Sequence, residues 1–240
     1  MSEAAQAAPP LAAQEVPVDL DLSRLSVREV NAALQSLGEG EARLLHPAGR
    51  HNLAVGLAAP IDVHVAGHAG YYCAGMNGQA RVRIAGNCGV GVAENMMSGR
   101  VEVAHNASQS AGASAHGGLL VIHGDAAARC AISLKGADVV VRGSVGHLAG
   151  FMAQSGRLVV CGDAGEALGD SLYEARLFVR GRVHGLGADC VAKEMRGEHL
   201  AELAQLLDAA GLDDVAPEDF RRYGSARTLY HFSTERAGSY

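Results

Sequence analysis

Between Ile61 and Asp189 one short motif is written seven times at a fixed interval. Each copy is a β-rich run closed by a small residue or a histidine: IDVHVAG, RVRIAG, VEVAHN, LLVIHG, DVVVRG, LVVCG and LFVRG. The closing positions are Gly67, Gly86, His105, Gly124, Gly143, Gly162 and Gly181, and each step between neighbours is 19 residues. Two apolar columns hold the same phase, Val82, Val101, Leu120, Val139, Leu158 and Leu177, and two residues later Ile84, Val103, Ile122, Val141, Val160 and Val179. Alternation at period two is the strand signature. A fixed interval of roughly twenty residues between strands marks a solenoid in which each repeat covers the face of the last. The pattern predicts an all-β core, a right-handed parallel β-helix of about seven 19-residue coils, about 34 Å long at ordinary strand spacing.

Around this core the chain divides into four stretches. Residues 1–16, rich in Ala, Gln and Pro, read as a mobile arm. Residues 17–60 hold an N-terminal capping helix and a lead-in strand. Ser26 with Glu29 forms a capping box, Leu25 with Val30 a hydrophobic staple, and Gly38 a stop. The strand-like run HNLAVGL, 51–57, reads as an incomplete opening coil. Residues 61–189 are the β-helix. Residues 190–240 carry a C-terminal helix and tail, with Leu200, Leu203, Leu206 and Leu207 at helical spacing and Gly211 as its end. A solenoid needs its open ends covered, so short helices are expected to cap both. The tail concentrates aromatics, Phe220, Tyr223, Tyr230, Phe232 and Tyr240.

The residue after each closing position is His68, Asn87, Asn106, Asp125, Ser144, Asp163 or Arg182. These are mostly short polar residues that can bond their own backbone at a corner. Three residues past the closing position stand Gly70, Gly89, Ser108, Ala127, Gly146, Gly165 and His184, mostly small, which suits closely stacked corners.

Composition narrows the partners. The net charge is −6, the pI about 6.0, and no run of Lys or Arg exceeds two, which disfavours nucleic acid and anionic membranes. The N-terminal residues do not read as a signal peptide, and no apolar run reaches the ~18 residues of a membrane span, so a cytoplasmic location is expected. The five cysteines, an odd number without a CxxC pair, argue against a disulfide framework. Cys73 and Cys130 share a column but lie three coils apart, and Cys88, Cys161 and Cys190 occupy other columns; all five are expected as buried, inert thiols.

No active site declares itself. The loop GNCGVG, 86–91, follows a strand but runs through AENMMSG into the next strand, whereas a phosphate loop opens a helix. His105 and Asp125 do not extend to a three-ligand metal set. Ser108, Ser110 and Ser114 lack a nucleophile elbow, and Glu94, or Asp170 with Glu174, read as solvating turn carboxylates. Met96 and Met97 read as core, with a partner contact as the other reading. A polysaccharide-cleaving β-helix would stack sugars on aromatic rings, and Trp is absent. No catalytic, cofactor-binding or metal-binding residue is assigned.

The segments GYYCAGMNG, GVGVAENMMSG, GHLAGFMAQSGRLVVCGDAG and LFVRGRVHGLGAD, with the tail RRYGSAR, resemble the "GXGXG" β-helix family. That domain ends the large subunit of glutamate synthase and also forms the C subunit of formylmethanofuran dehydrogenase. The similarity spans about residues 45–235, and the tail favours the glutamate synthase side, most closely the N-methylglutamate synthase branch, in which the three glutamate synthase regions are separate chains. The resemblance implies a non-catalytic structural subunit of a hetero-oligomer. Its implied partners are an amidotransferase-like subunit and a glutamate synthase-like subunit carrying FMN and an iron–sulfur cluster, with no cofactor in this chain. Membership of a formylmethanofuran dehydrogenase or formyltransferase/hydrolase complex is the alternative.

Overall fold

Eight strands lie in parallel register, one above the other, from Glu41–Leu45 (β2) through Asp62–Val65 (β3), Arg81–Ile84 (β4), Arg100–Val103 (β5), Leu119–Ile122 (β6), Lys135–Val141 (β7) and Ser155–Val160 (β8) to Arg176–Val179 (β9). The computed structural model describes residues 17–228, so the arm 1–16 and the tail aromatics Tyr230, Phe232 and Tyr240 lie outside the described residues. The chain is a parallel β-solenoid, as the repeat predicts, and from β3 onward each step of register is 19 residues, apart from a shift at the start of β7 where Lys135 pairs with Ser155. Inward side chains form two continuous stacks. Ala42, Val63, Val82, Val101, Leu120, Val139, Leu158 and Leu177 make one; Leu44, Val65, Ile84, Val103, Ile122, Val141, Val160 and Val179 make the other, all inside a single buried cluster. Branched side chains in these stacks sit directly on the copy below, the packing that a pleated surface favours.

The opening coil differs from the sequence reading. HNLAVGL, 51–57, forms bends and turns rather than a strand, and the first strand of the stack is β2, where Ala42 and Leu44 face the core. The step from Ala42 to Val63 is 21 residues, two more than the others. An even insertion keeps the inward and outward faces unchanged, so the stack absorbs it without exposing its core. A further strand, Val18–Asp21 (β1), pairs in parallel with β2.

The first helix, Val27–Ser36 (α1), is built as expected. Ser26 Oγ accepts the Glu29 amide, and Glu29 returns a carboxylate to the Ser26 amide at 2.8 Å. Val30 and Leu34 are buried in the solenoid core. Two polar residues on the same helix satisfy the first coil's open backbone. The Asn31 amide donates to Asn52 O at 2.7 Å and its Oδ1 accepts from Ala54 N at 2.9 Å, while Gln35 donates to Val55 O at 2.8 Å.

The second helix, Gly197–Ala209 (α2), does not close the other end. It lies on the outer face of the sheet, where Leu203, Leu206 and Leu207 pack on Val121, Val140, Val159 and Phe178, the outward residues of β6 to β9. The distal end is finished instead by Cys190–Lys193 (β10) and Arg221–Ser225 (β11). β11 runs antiparallel to β9, and β10 antiparallel to β11. A reversed pair ends the parallel run within the sheet, so a helix is not required there. Phe220 joins the α2 cluster and Tyr223 enters the solenoid core.

Candidate functional site

Each corner of the solenoid is tied to the next by one polar side chain. Asn87 N donates to His68 Nδ1 at 2.9 Å, Asn106 N to Asn87 Oδ1 at 3.0 Å and Asp125 N to Asn106 Oδ1 at 2.8 Å. Ser144 N donates to Asp125 Oδ1 at 2.7 Å, Asp163 N to Ser144 Oγ at 2.9 Å and Arg182 N to Asp163 Oδ1 at 2.8 Å. The sequence reading had these side chains bonding their own backbone; they bond the backbone one coil on. The corner amide points along the solenoid axis, and the acceptor within reach is the copy of the same residue on the previous coil. The closing glycines make room for this. A Cβ on Gly86 would stand 2.6 Å from His68 Nδ1, and one on Gly162 would stand 2.6 Å from Ser144 Oγ.

The long turn of each coil carries a second repeated device. Tyr72, Ser110, Arg129, Leu148 and Ala167 share one left-handed column with φ between 58° and 59°, and Met76, Asn95, Ser114, Ser133, Met152 and Ser171 share another between 52° and 55°. Non-glycine residues in that region cost roughly 1–2 kcal/mol each, so the surrounding structure must hold them. The neighbouring coils do so through backbone bonds such as Tyr72 N to Val90 O at 2.8 Å and Met76 N to Glu94 O at 2.8 Å. Side chains thus project from these turns at fixed intervals, and Met76, Met97, Met152 and Tyr173 are exposed there.

The residues weighed for chemistry are distributed as follows. All five cysteines are free and buried. Burial pushes the Cys130 and Cys190 thiols up to about 12 and Cys161 to about 11. Cys73 is raised by its hydrogen bond with Cys88 and then by burial. The pairing of Cys73 with Cys88 on the next coil was not seen in the sequence, because the two occupy different columns. The loop 86–91 leads into turns and then β5, not into a helix. His105 is exposed, while Asp125 is spent on the corner ladder. Asp170 bonds Ser171 and the Ala188 amide, and Glu174 pairs with Arg227 at 2.8 Å, so the two carboxylates do not act as a pair. Ser110 and Ser114 are backbone positions of the left-handed columns. Met96 is fully buried and Met97 exposed, so the dipeptide divides between the two readings. Among the described residues, no group of three His, Cys, Asp or Glu is placed to hold a metal ion, and no helix is long and apolar enough to cross a membrane.

Outward residues of the sheet split the molecule into two halves. At the middle outward position the strands carry Arg43, His64, Arg83 and Glu102 in β2 to β5, then Val121, Val140, Val159 and Phe178 in β6 to β9. The apolar half is the seat of α2. Ion pairs fasten the helix at its margin, Glu202 meeting Arg157 at 3.0 Å and Arg176 at 2.6 Å, while Arg100 donates to the Ala209 carbonyl at the helix end. Arg157 also holds Asp138 of the previous coil through two bonds of 2.5 and 2.6 Å. This polar-to-apolar switch is written in the sequence and was the missed signal for where the helix docks. Among the described residues no helix covers the charged half, where Arg43 and Arg83 are each nearly half exposed.

The sequence has a relative among known proteins. The chain is 56% identical over 225 residues to Protein GlxC of Rhizobium meliloti (strain 1021), an alignment covering 92% of this chain and 99% of that protein. The chain belongs to the GlxC family. That kinship agrees with the glutamate synthase-like resemblance carried by the GXGXG-like segments. Because the aligned stretch takes in nearly the whole of the GlxC protein, the 19-residue solenoid and its flanking elements are the shared unit. No family model matches the chain, and no solved structure matches it.

Proposed function

We propose that this GlxC-family chain is a non-catalytic structural subunit of a glutamate synthase-like complex in the cytoplasm. The carrying observation is the kinship with GlxC across 92% of the chain, joined to a sheet whose outer face is half occupied by its own helix and half open and charged. A stack of coils locked by one corner bond per turn is a stiff rod, and a stiff rod holds two bound bodies at a fixed separation. Its contribution to chemistry is positional.

The finer reading is N-methylglutamate synthase, in which methylamine and L-glutamate give N-methyl-L-glutamate and ammonia. The tail around Tyr223 to Arg227 and the GXGXG-like segments support that branch of the resemblance. The solenoid then positions an amidotransferase-like subunit against a subunit carrying FMN and an iron–sulfur cluster. The open face of β2 to β5 is one surface for such contacts.

A tagged pull-down from the native host tests this, with mass spectrometry of the retained chains and an absorption spectrum of the eluate. Recovery of an amidotransferase-like chain together with a flavin and iron–sulfur chain is the expected result. Formyltransferase-type chains in the eluate transfer the protein to a formylmethanofuran-linked complex. A colourless protein eluting alone overturns the subunit reading.

A further inference from the structure

Lys193 and Arg222 are register partners on β10 and β11, two cations directly opposite each other on an antiparallel pair. Side chains in that relation stand about 5 Å apart at Cβ, and like charges there destabilise the sheet. The neighbourhood adds positive charge. Arg176, from β9, and Arg196, at the start of α2, line the same open cleft of about 530 Å³. Their charges are balanced by carboxylates, Arg176 by Glu202 at 2.6 Å and Arg196 by Glu194 at 2.8 Å. Neither Lys193 nor Arg222 is ion-paired in this way among the described residues, and Glu194 and Glu198 act on Arg222 only as the lesser charges around it. Arg222 Nε donates to the Glu194 carbonyl at 2.9 Å, and the Lys193 ammonium has no side-chain hydrogen bond or ion pair among the described residues.

A protein that keeps two opposed cations without a carboxylate between them breaks a local rule of sheet pairing, and such breaks gather at binding sites. Burial first, then the Arg176 and Arg196 charges, hold the Arg222 guanidinium below its ordinary pKa. Among the described residues, the compensation that fits the geometry is an anion from outside.

We propose that the cleft between β11, β10 and the start of α2 is a binding site for an oxyanion, a phosphate or carboxylate group received between Lys193 and Arg222. The guanidinium fork and the ammonium supply charge-assisted hydrogen bonds. The cleft volume lies in the range of small-ligand sites. The site stands independently of the subunit reading above, because it uses this chain's residues alone.

The test is thermal unfolding and calorimetric titration of the full chain with inorganic phosphate and, separately, glutarate, at constant ionic strength set by chloride. A saturable rise in Tm with at least one of them is the expected result. Phosphate alone assigns a tetrahedral oxyanion, glutarate alone a carboxylate. Lys193→Gln removes a charge that no bond in the fold uses. It should weaken binding by about tenfold, the loss of one charge-assisted bond, while raising Tm in the absence of the anion because the opposed charges are gone. Arg222→Gln should weaken binding likewise. The proposal fails if neither anion acts beyond chloride, or if Lys193→Gln binds as the parent does.

Discussion

The Asp163 amide donates to the Ser144 hydroxyl 2.9 Å away, and the two are the same corner of successive coils. This relation recurs along the solenoid, so the corner works as a ladder whose rungs are side chains. Ser144→Ala removes one rung at a solvated position and should cost about 1 kcal/mol. Gly162→Ala drives a Cβ to within 2.6 Å of both Ser144 Oγ and the Gly143 carbonyl carbon, and should cost more, about 2 kcal/mol. Urea unfolding of both single variants and the double variant measures this. The double variant should lose less than the sum, because Ser144→Ala removes one of the three clashing atoms, the other two being Gly143 C and O.

The fastening of α2 is tested through its underside. Leu206 and Phe178 are buried in the same cluster on the outer face, and Leu206→Ala or Phe178→Ala should lower stability by about 3 kcal/mol. Hydrogen exchange separates the two layers. Amides of α2 should speed up in Leu206→Ala, while amides of β3 and β4, away from the helix seat, keep their protection.

Asn31 is expected to matter beyond its helix. Its side chain satisfies Ala54 N, a group on a fully buried residue, and Asn52 O. Asn31→Ala leaves that amide unpaired at a cost of about 1–3 kcal/mol. A denaturant midpoint shifted with no change in slope would show loss of stability without partial unfolding; no shift would remove α1 from the list of true end caps.

Acid sensitivity should show two separate windows. His199 is buried, and its Nδ1 accepts the Arg196 amide at 3.2 Å. Desolvation and then Arg222 lower its pKa below 6.5; Arg176 adds to this, while Glu198 and Glu202 act the other way. The folded state therefore binds fewer protons here than the unfolded chain, so stability present above pH 6.5 is lost as the pH falls through the folded pKa. His199→Gln should flatten this window. Asp21, held far below its ordinary range by hydrogen bonds from Ser23 and His46, gives a second loss only below pH 3.8.

Thiol chemistry should be silent in the native protein. With Cys130 and Cys190 raised to about 12, iodoacetamide at pH 8 should label none of the five buried cysteines until the chain is unfolded. Native labelling at Cys130 would contradict the packing of its coil. The same shifts predict alkaline weakening, since the stability contributed by the neutral thiols is present below pH 9 and is lost as the pH rises toward 12.

Much of this was legible because a solenoid writes its packing in columns. Val82 above Val63 and Ile84 above Val65 could be placed from spacing alone, as could the capping box at Ser26 and Glu29. The corner ladder was half legible. The polar column from His68 to Asp163 was visible, but the amides that donate to it lie on the next coil, and direction along the axis is not encoded by residue type. The left-handed columns left no trace, since Leu148, Arg129 and Met152 are not residues that ordinarily mark positive φ. Nor did the Lys193–Arg222 opposition, whose members are 29 positions apart in sequence and meet only through strand pairing.

The sequence by itself determined the period, the two inward stacks and the parity of every strand, because side chains repeating every 19 residues can be buried together only by stacking. Tertiary structure alone decided what lies against the outside of that stack. α2 has one apolar stripe and two possible seats, the open distal end and the outer face. The outer face prevailed because Val121, Val140, Val159 and Phe178 offered it an apolar bed, while β11 had already covered the end by pairing with β9.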